Sequence, residues 1–231
     1  MPPVEDPQPQ GGDTIREDFD RIAHIPGGGW NHNSHYHRYI LRRIPLRMDR
    51  VLDVGCGKGE FTRRMAERAA RVEGIDLSPD MIAEAQKLSA GCPNIDYSAG
   101  DIRKAALKPG QYDCIASIAT LHHLPLKDIL EQLKSALAEG GVLAVLDLYR
   151  AQTVWDIIVS AVAFPANALC RLVKTGRIRD AHRAEWLAHS DHDVILPLHE
   201  IRTVCRAVLP GARVTRHLFW RYSILWRKPG K

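Results

Sequence analysis

The stretch 51–68, VLDVGCGKGEFTRRMAER, sets three glycines at every second position behind a short apolar run interrupted by Asp53. Val51, Leu52 and Val54 suit a buried strand, whereas Phe61, Met65 and Ala69 recur at helical spacing. Gly55, Gly57 and Gly59 therefore fall at a strand-to-helix turn. Residues without a Cβ let the backbone bend tightly and let a ligand come close. In open parallel α/β sheets, ligands bind at that level, outside the carboxyl ends of the strands.

The spacing narrows the ligand. A dinucleotide fingerprint reads G-x-G-x-x-G and aims a helix N-terminus at a pyrophosphate. Here the pattern is G-x-G-x-G, with Glu60 where the last glycine of that fingerprint would stand. A carboxylate at that turn repels a diphosphate. Further on, Asp76 follows the apolar segment 72–75 as the end of a second strand would, where a carboxylate can accept from both hydroxyls of a ribose. The expected ligand has a ribose and no pyrophosphate.

Outward from this turn, short apolar strands alternate with helical stretches, which predicts an α/β fold with a parallel, doubly wound sheet. Strands are expected over 50–54, 71–75, 95–98, 112–117 and 142–148, and helices over 61–69, 79–88 and 126–139. Ser78 is placed to cap the second helix before Pro79 at its first position, and Gly140 and Gly141 to stop the third.

The ordered series LDVGCGKGEFT, GIDLSPDMI, AGDI, YDCIASIATLHHLP and LAEGGVLAVLDLY, across 50–150, resembles class I S-adenosylmethionine-dependent methyltransferases. The resemblance implies a Rossmann-like, seven-stranded, mostly parallel sheet with helices on both faces, closed by an antiparallel hairpin within ARVTRHLFWRYSILWRKP. It implies S-adenosyl-L-methionine as cofactor, with Asp53 and the backbone of Gly55, Cys56, Gly57 and Gly59 at its methionine end. Asp76 would take the ribose hydroxyls and Asp101 the adenine amino group. Leu77, Met81 and Ile102 would pack the adenine faces, and Ser117 and Ile118 would offer carbonyls to the cofactor's ammonium.

The 231 residues, 45% hydrophobic, fit one domain with a sizeable core over 18–231. The Pro-, Gly- and Gln-rich start reads as a disordered tail over 1–17 with no export signal, so a cytoplasmic protein is expected. Five scattered cysteines show neither a zinc spacing nor a disulfide framework. The net charge of +5 lies in local clusters without an aromatic-rich RNA-binding signature, so no nucleic-acid partner is expected.

Two segments fall outside the motif series. Residues 18–45 precede the first strand, where the resemblance implies a lid that roofs the cofactor and helps build the acceptor pocket; Trp30, His32, Asn33 and Tyr36 offer it donors and flat surfaces. His32, His35 and His37 lack accompanying cysteine or carboxylate ligands, so no metal is expected. Residues 151–193 read as a helical cap insertion. Their run 157–170 carries no formal charge, is too short for a bilayer and contains Pro165. With its basic flank this run fits a cap, a dimer surface or peripheral membrane contact. Beyond it, Trp186, His189, Asp191, His192 and Asp193 fit either the pocket or a solvated loop.

A sulfonium makes its methyl group electrophilic unaided, so the protein supplies orientation and, for a hydroxyl or ammonium acceptor, a base. His122 and His123 stand just beyond the fourth strand, and adjacent residues of a helical turn point about 100° apart, so only one can readily face the methyl. Asp147, near the end of the fifth strand, is a second candidate for orienting the acceptor. The expected acceptor is the oxygen or nitrogen of a small molecule or peptide terminus. A lipid-like or quinone acceptor at a membrane, and cofactor binding without methylation, are the alternatives.

Overall fold

The computed structural model describes residues 12–25, 31–175 and 195–230. Trp30 and the group at 186–193 lie outside the described residues. Strands β1 (Met48–Val54), β2 (Ala69–Asp76), β3 (Ile95–Ala99), β4 (Tyr112–Ile118), β5 (Leu137–Leu148), β6 (Arg213–Arg216) and β7 (Arg221–Arg227) form one sheet in the order β3-β2-β1-β4-β5-β7-β6. The first five run parallel; β7 inserts antiparallel between β5 and β6. The helices are α1 (Gly12–Ala23), α2 (His32–Leu41), α3 (Glu60–Ala66), α4 (Pro79–Leu88), α5 (Leu126–Ala136), α6 (Val154–Thr175) and α7 (Leu198–Val208).

The alternation within β1 divides the core. Val51 faces Ile40, Phe61 and Met65, while Leu52 and Val54 face a second cluster with Leu130, Leu133 and Ile201. Burial on both faces explains why β1, β4 and β5 read as near-continuous apolar runs. Helix α5 buries Leu126, Ile129, Leu130 and Leu133, spaced three and four apart, and each such side chain contributes about 1.5–3 kcal/mol on leaving water.

Three boundaries differ from expectation. Helix α1 begins at Gly12, inside the stretch read as a tail, because Phe19, Ile22 and Ala23 form an apolar face that docks on Met81. Helix α3 ends at Ala66, three residues early, and β2 starts at Ala69. Helix α5 stops at Ala136 without reaching Gly140; β5 starts at Leu137, with an irregular register against β4 and Gly140 left-handed at φ 73° inside it. The chain after β7 explains this. Gly140 N donates to Lys228 O at 3.0 Å and Lys228 N donates to Gly141 O at 2.9 Å. The Lys228 ammonium also donates to the carbonyls of Lys134 and Leu137, closing the end of α5. Contacts spanning 91 and 94 residues thus override the local glycine signal.

The ends of the 151–193 insertion are tied together, since Arg150 N donates to Leu196 O at 3.0 Å. Its described part is α6, held at its start by Asp156, which accepts from the backbone of Gln152 and Thr153 and pairs with Arg216 of β6.

Candidate active site

The loop after β1 is laced to the end of β2. Gly55 N and Cys56 N both donate to Ile75 O, at 2.8 and 3.1 Å. The Asp76 carboxylate accepts from Gly57 N at 2.8 Å and from Ser78 N at 3.0 Å. Gly55, Gly57 and Gly59 are all left-handed, at φ 68°, 51° and 73°, but for different reasons. A Cβ on Gly55 would lie 2.0 Å from Thr120 Oγ1, and one on Gly59 would lie 2.1 Å from the Tyr97 hydroxyl. On Gly57 it would meet no atom within 4 Å. Two glycines accommodate the protein's own side chains; the middle one faces open space at the carboxyl edge, where a ligand can rest on the backbone.

The charges around this opening select the ligand. Asp53 is buried and accepts from Thr62 Oγ1 at 2.6 Å. Burial, reinforced by the nearby Asp76 carboxylate, lifts its pKa to about 7. Burial also raises Asp76, against the hydrogen bonds of Ser78 and Gly57 that favour its ionised form. Two adjoining carboxylates repel a diphosphate and favour a ligand that carries positive charge beside its ribose. S-adenosylmethionine, with its sulfonium and ammonium, fits that lining.

Helix α1 packs on α4, and the residues after it tie to the glycine loop. Lys58 Nζ donates to Ile25 O at 2.6 Å, the Ser78 hydroxyl bonds Asp20, and His24 meets Asp80 at 3.0 Å. Met81, capped through Ser78, is buried under Ile22 and Ala23. At its other side, Phe19 meets the ring of His123 edge-on at 5.6 Å. Of the segment expected to roof the cofactor, α1 packs on α4, whereas α2 packs beside α3 and the β6–β7 hairpin.

The remaining cofactor candidates vary in their placement. Ile102 is buried and Leu77 half-buried near the end of β2. Asp101 caps the short turn Ile102–Lys104 and is held by Arg103 through its backbone N at 2.9 Å and its Nη2 at 2.7 Å, which keeps the carboxyl below its usual pKa. The Cys56 thiol sits behind the loop, near where a Cβ on Gly74 would fall, and burial pushes its pKa up. Ser117 Oγ donates to Val54 O at 3.0 Å. Ile118 O and Gly55 O both receive Thr120 Oγ1, at 3.3 and 3.4 Å, after left-handed Ala119 has turned the chain.

Beyond β4, the turn Leu121–His123 separates the two histidines. His122 Nδ1 meets Asp147 Oδ1 at 2.6 Å, and His122 N donates to Asp147 Oδ2 at 2.9 Å. Asp147 is fully buried, so its carboxylate fixes both the backbone and the ring of one residue. With Nδ1–H donated to a carboxylate, the imidazole's basic lone pair is on Nε2. His123 instead packs against α1.

The α2 candidates hold elements together. Tyr36 OH donates to Leu218 O at 3.0 Å, and burial raises its pKa to about 12. His32 meets Asn167 of α6 at 3.0 Å and stacks on Phe219. Asn33 accepts from Arg221 Nε at 3.0 Å. His37 pairs with Glu60 at 3.5 Å and, as the largest cause, holds that carboxyl down at about 2. Among the described residues no group of His, Cys, Asp and Glu is arranged to hold a metal ion.

Sequence reasoning missed four residues that build the site: Thr62, Tyr97, Thr120 and Arg221. Thr62 holds Asp53, and Tyr97 and Thr120 fill the space beside Gly59 and Gly55 from distant segments; all three are neutral and leave no local pattern. Arg221 did leave a trace, as the basic residue that opens the β-like run 221–226.

Residues 51–141 match a family model described as a methyltransferase domain. An uncharacterised methyltransferase of Mycobacterium tuberculosis is 31% identical over 204 residues, which cover 87% of this chain and 98% of that protein. The ubiquinone biosynthesis O-methyltransferase of Xylella fastidiosa is 34% identical over 162 residues, or 66% of this chain and 64% of its own length. Among solved structures, a Haemonchus contortus phosphoethanolamine N-methyltransferase bound to S-adenosylhomocysteine shares the fold with a TM-score of 0.66 at 16% identity, over 96% of this chain and 61% of that one. The glycine loop and the paired carboxylates now have their explanation: the chain belongs to the class I S-adenosylmethionine-dependent methyltransferases.

Proposed function

We propose that the protein methylates a hydroxyl oxygen of a small-molecule acceptor, with His122 as the base and Asp147 as the group that orients it. The observation that carries this reading is the two-point hold of Asp147 on His122, at 2.6 and 2.9 Å, at the carboxyl edge of β4 and β5. A hydroxyl gives up its proton only to a base placed within hydrogen-bond reach, and general-base catalysis is worth roughly 10²–10⁴-fold. His122 Nε2 would take the proton of the acceptor hydroxyl, and Asp147 would stabilise the imidazolium that forms. When bound, S-adenosylmethionine supplies an electrophilic methyl group and leaves as neutral S-adenosylhomocysteine.

In this reading Asp53, Asp76 and the Gly57 backbone hold the cofactor, while α1 excludes water above it. The relative in Xylella, by name an O-methyltransferase, favours oxygen over nitrogen as the accepting atom. A hydrolase-coupled assay across phenols, alcohols, amines and carboxylic acids tests it. His122→Ala is expected to lower kcat on hydroxyl acceptors by about 10²-fold or more, and Asp147→Asn to lower it less while shifting the pH profile. Full activity of both variants rejects base catalysis there.

A second reading, a lipid-like or quinone acceptor taken from a membrane surface, draws on α6. Trp155, Ile158, Leu169, Leu172 and Val173 are exposed, Trp155 at 68% and Val173 at 75%, and fall on one side of the helix. No helix among the described residues is long and apolar enough to cross a membrane, so such contact would be peripheral. Co-sedimentation with anionic liposomes that survives deletion of 154–173 would reject it.

A further inference from the structure

Three acceptor-side residues that the sequence singled out separately, Asn33, Tyr36 and Asp147, converge on Arg221. Among the described residues it is the buried arginine, 8% exposed, and no buried lysine accompanies it. Its two hydrogen bonds go to neutral oxygens: Nε donates to Asn33 Oδ1 at 3.0 Å and Nη1 to Phe219 O at 3.2 Å. Asp147 and Tyr36 act on it electrostatically, and no direct ion pair joins it to Asp147. Burial draws its pKa down to about 10 in spite of Asp147, so the guanidinium is a desolvated cation whose charge is incompletely balanced. Among the described residues Nη2 has no protein acceptor. With the second N–H of Nη1 it leaves the outer fork of the guanidinium available, the arrangement that receives a carboxylate through two parallel bonds.

Arg221 pairs with Leu148 at the end of the β5–β7 ladder, on the sheet face that carries α2, and so meets from the other face the same carboxyl edge at which Asp147, paired with Tyr222, holds His122. It is pre-set by a costly turn. Phe219 and Trp220 are consecutive non-glycine residues in the left-handed region, at φ 60° and 55°, a conformation that crowds Cβ against the following carbonyl. The turn is pinned by His217 N donating to Arg221 O at 2.8 Å and by Trp220 Nε1 donating to Ser160 Oγ at 2.9 Å. Backbone strain of this kind persists where the surroundings over-determine it, commonly at ligand clamps.

We propose that Arg221 binds a carboxylate of the methyl acceptor, so that the substrate class is a hydroxy acid whose hydroxyl lies at His122 and whose carboxylate lies on the guanidinium fork. This rests on the acceptor site being beside His122. A purely structural Arg221 would pin α2 to the hairpin and be indifferent to ligand charge.

Salicylate, para-hydroxybenzoate and their uncharged amides, titrated by calorimetry into the full-length protein saturated with S-adenosylhomocysteine, separate the two roles. At least one acid is expected to bind about tenfold tighter than its amide. Arg221→Gln removes that preference, Arg221→Lys keeps part of it, and Asn33→Ala, which unpins α2 but retains the cation, keeps most of it. Absence of binding, equal binding of acids and amides, or a preference that survives Arg221→Gln overturns the assignment. His122→Ala reports on the other reading: a variant that loses turnover but keeps the acid preference supports both, and one that keeps turnover rejects the base while leaving Arg221 judged on its own result.

Discussion

The proposed cofactor half and the proposed acceptor half of this site are held by different kinds of group. Around Gly57 backbone groups do most of the holding: Gly57 N reaches Asp76 over 19 residues and Gly55 O accepts from Thr120 over 65. In the proposed acceptor half side chains do it: Asp147 holds the His122 ring, Arg221 reaches Asn33 over 188 residues, and Tyr36 reaches Leu218 O over 182. A common cofactor can be held by one compact motif reused as a unit. An acceptor surface assembled from α2, the turn after β4, the end of β5 and the β6–β7 hairpin can change one segment at a time. The difference predicts that the halves fail separately.

The largest effect should come from Gly55→Ala. The added methyl collides with Thr120 and sits at φ 68°, so a loss of several kcal/mol in stability is expected, on the order of an overpacked core with left-handed strain. Chemical denaturation measures it, and a change under about 1 kcal/mol would show that Thr120 simply rotates away. Gly57→Ala meets no atom; its φ costs about 1 kcal/mol of stability, while affinity for S-adenosylhomocysteine falls more steeply. Cofactor affinity that tracks stability equally in both variants would erase the distinction between the two glycines.

Asp53 gives a pH test confined to the cofactor half. Its folded pKa, about 7, is above the ordinary carboxyl value of 3.8, so the folded state binds the extra proton. The contribution to stability is fully present below pH 4 and is lost as pH rises toward 7. Thermal melts of the cofactor-free protein should show this downward component, and Asp53→Asn should remove it; the same slope in the variant would assign it to another group. The smallest effect is expected at Asp101. Its carboxylate is already engaged by Arg103, so Asp101→Asn should weaken S-adenosylhomocysteine binding only a few-fold, about 1 kcal/mol, and a hundredfold loss would show that Arg103 swings aside when cofactor binds.

The same asymmetry decided what could be read from the chain. The parallel strands, the glycine loop after the first and Asp76 at the end of the second were legible because each leaves a local pattern of apolar runs, glycines and a strand-end acid. The antiparallel hairpin was legible through its resemblance and its two β-like runs. His122 and Asp147 were each legible as candidates, but their pairing required β4 and β5 to lie side by side, and nothing local distinguishes His122 from His123 until α1 arrives to cover the latter. Asn33 and Tyr36 were read as groups for a ligand, whereas in the structure they bond Arg221 and the Leu218 carbonyl. Helix α1 escaped notice because its apolar face is three or four residues wide and follows a run of prolines and glutamines; its partner, Met81, belongs to another helix.

Titration of S-adenosylhomocysteine into Asp76→Ala and His122→Ala, side by side, tests the division most directly. In the proposed reading Asp76 accepts the ribose hydroxyls, and it splints the Gly57 backbone, so its loss should weaken binding about 100-fold or more, while His122→Ala binds as the unaltered protein does and fails only in turnover. Equal affinities in all three proteins, or an equal loss in both variants, would contradict the account.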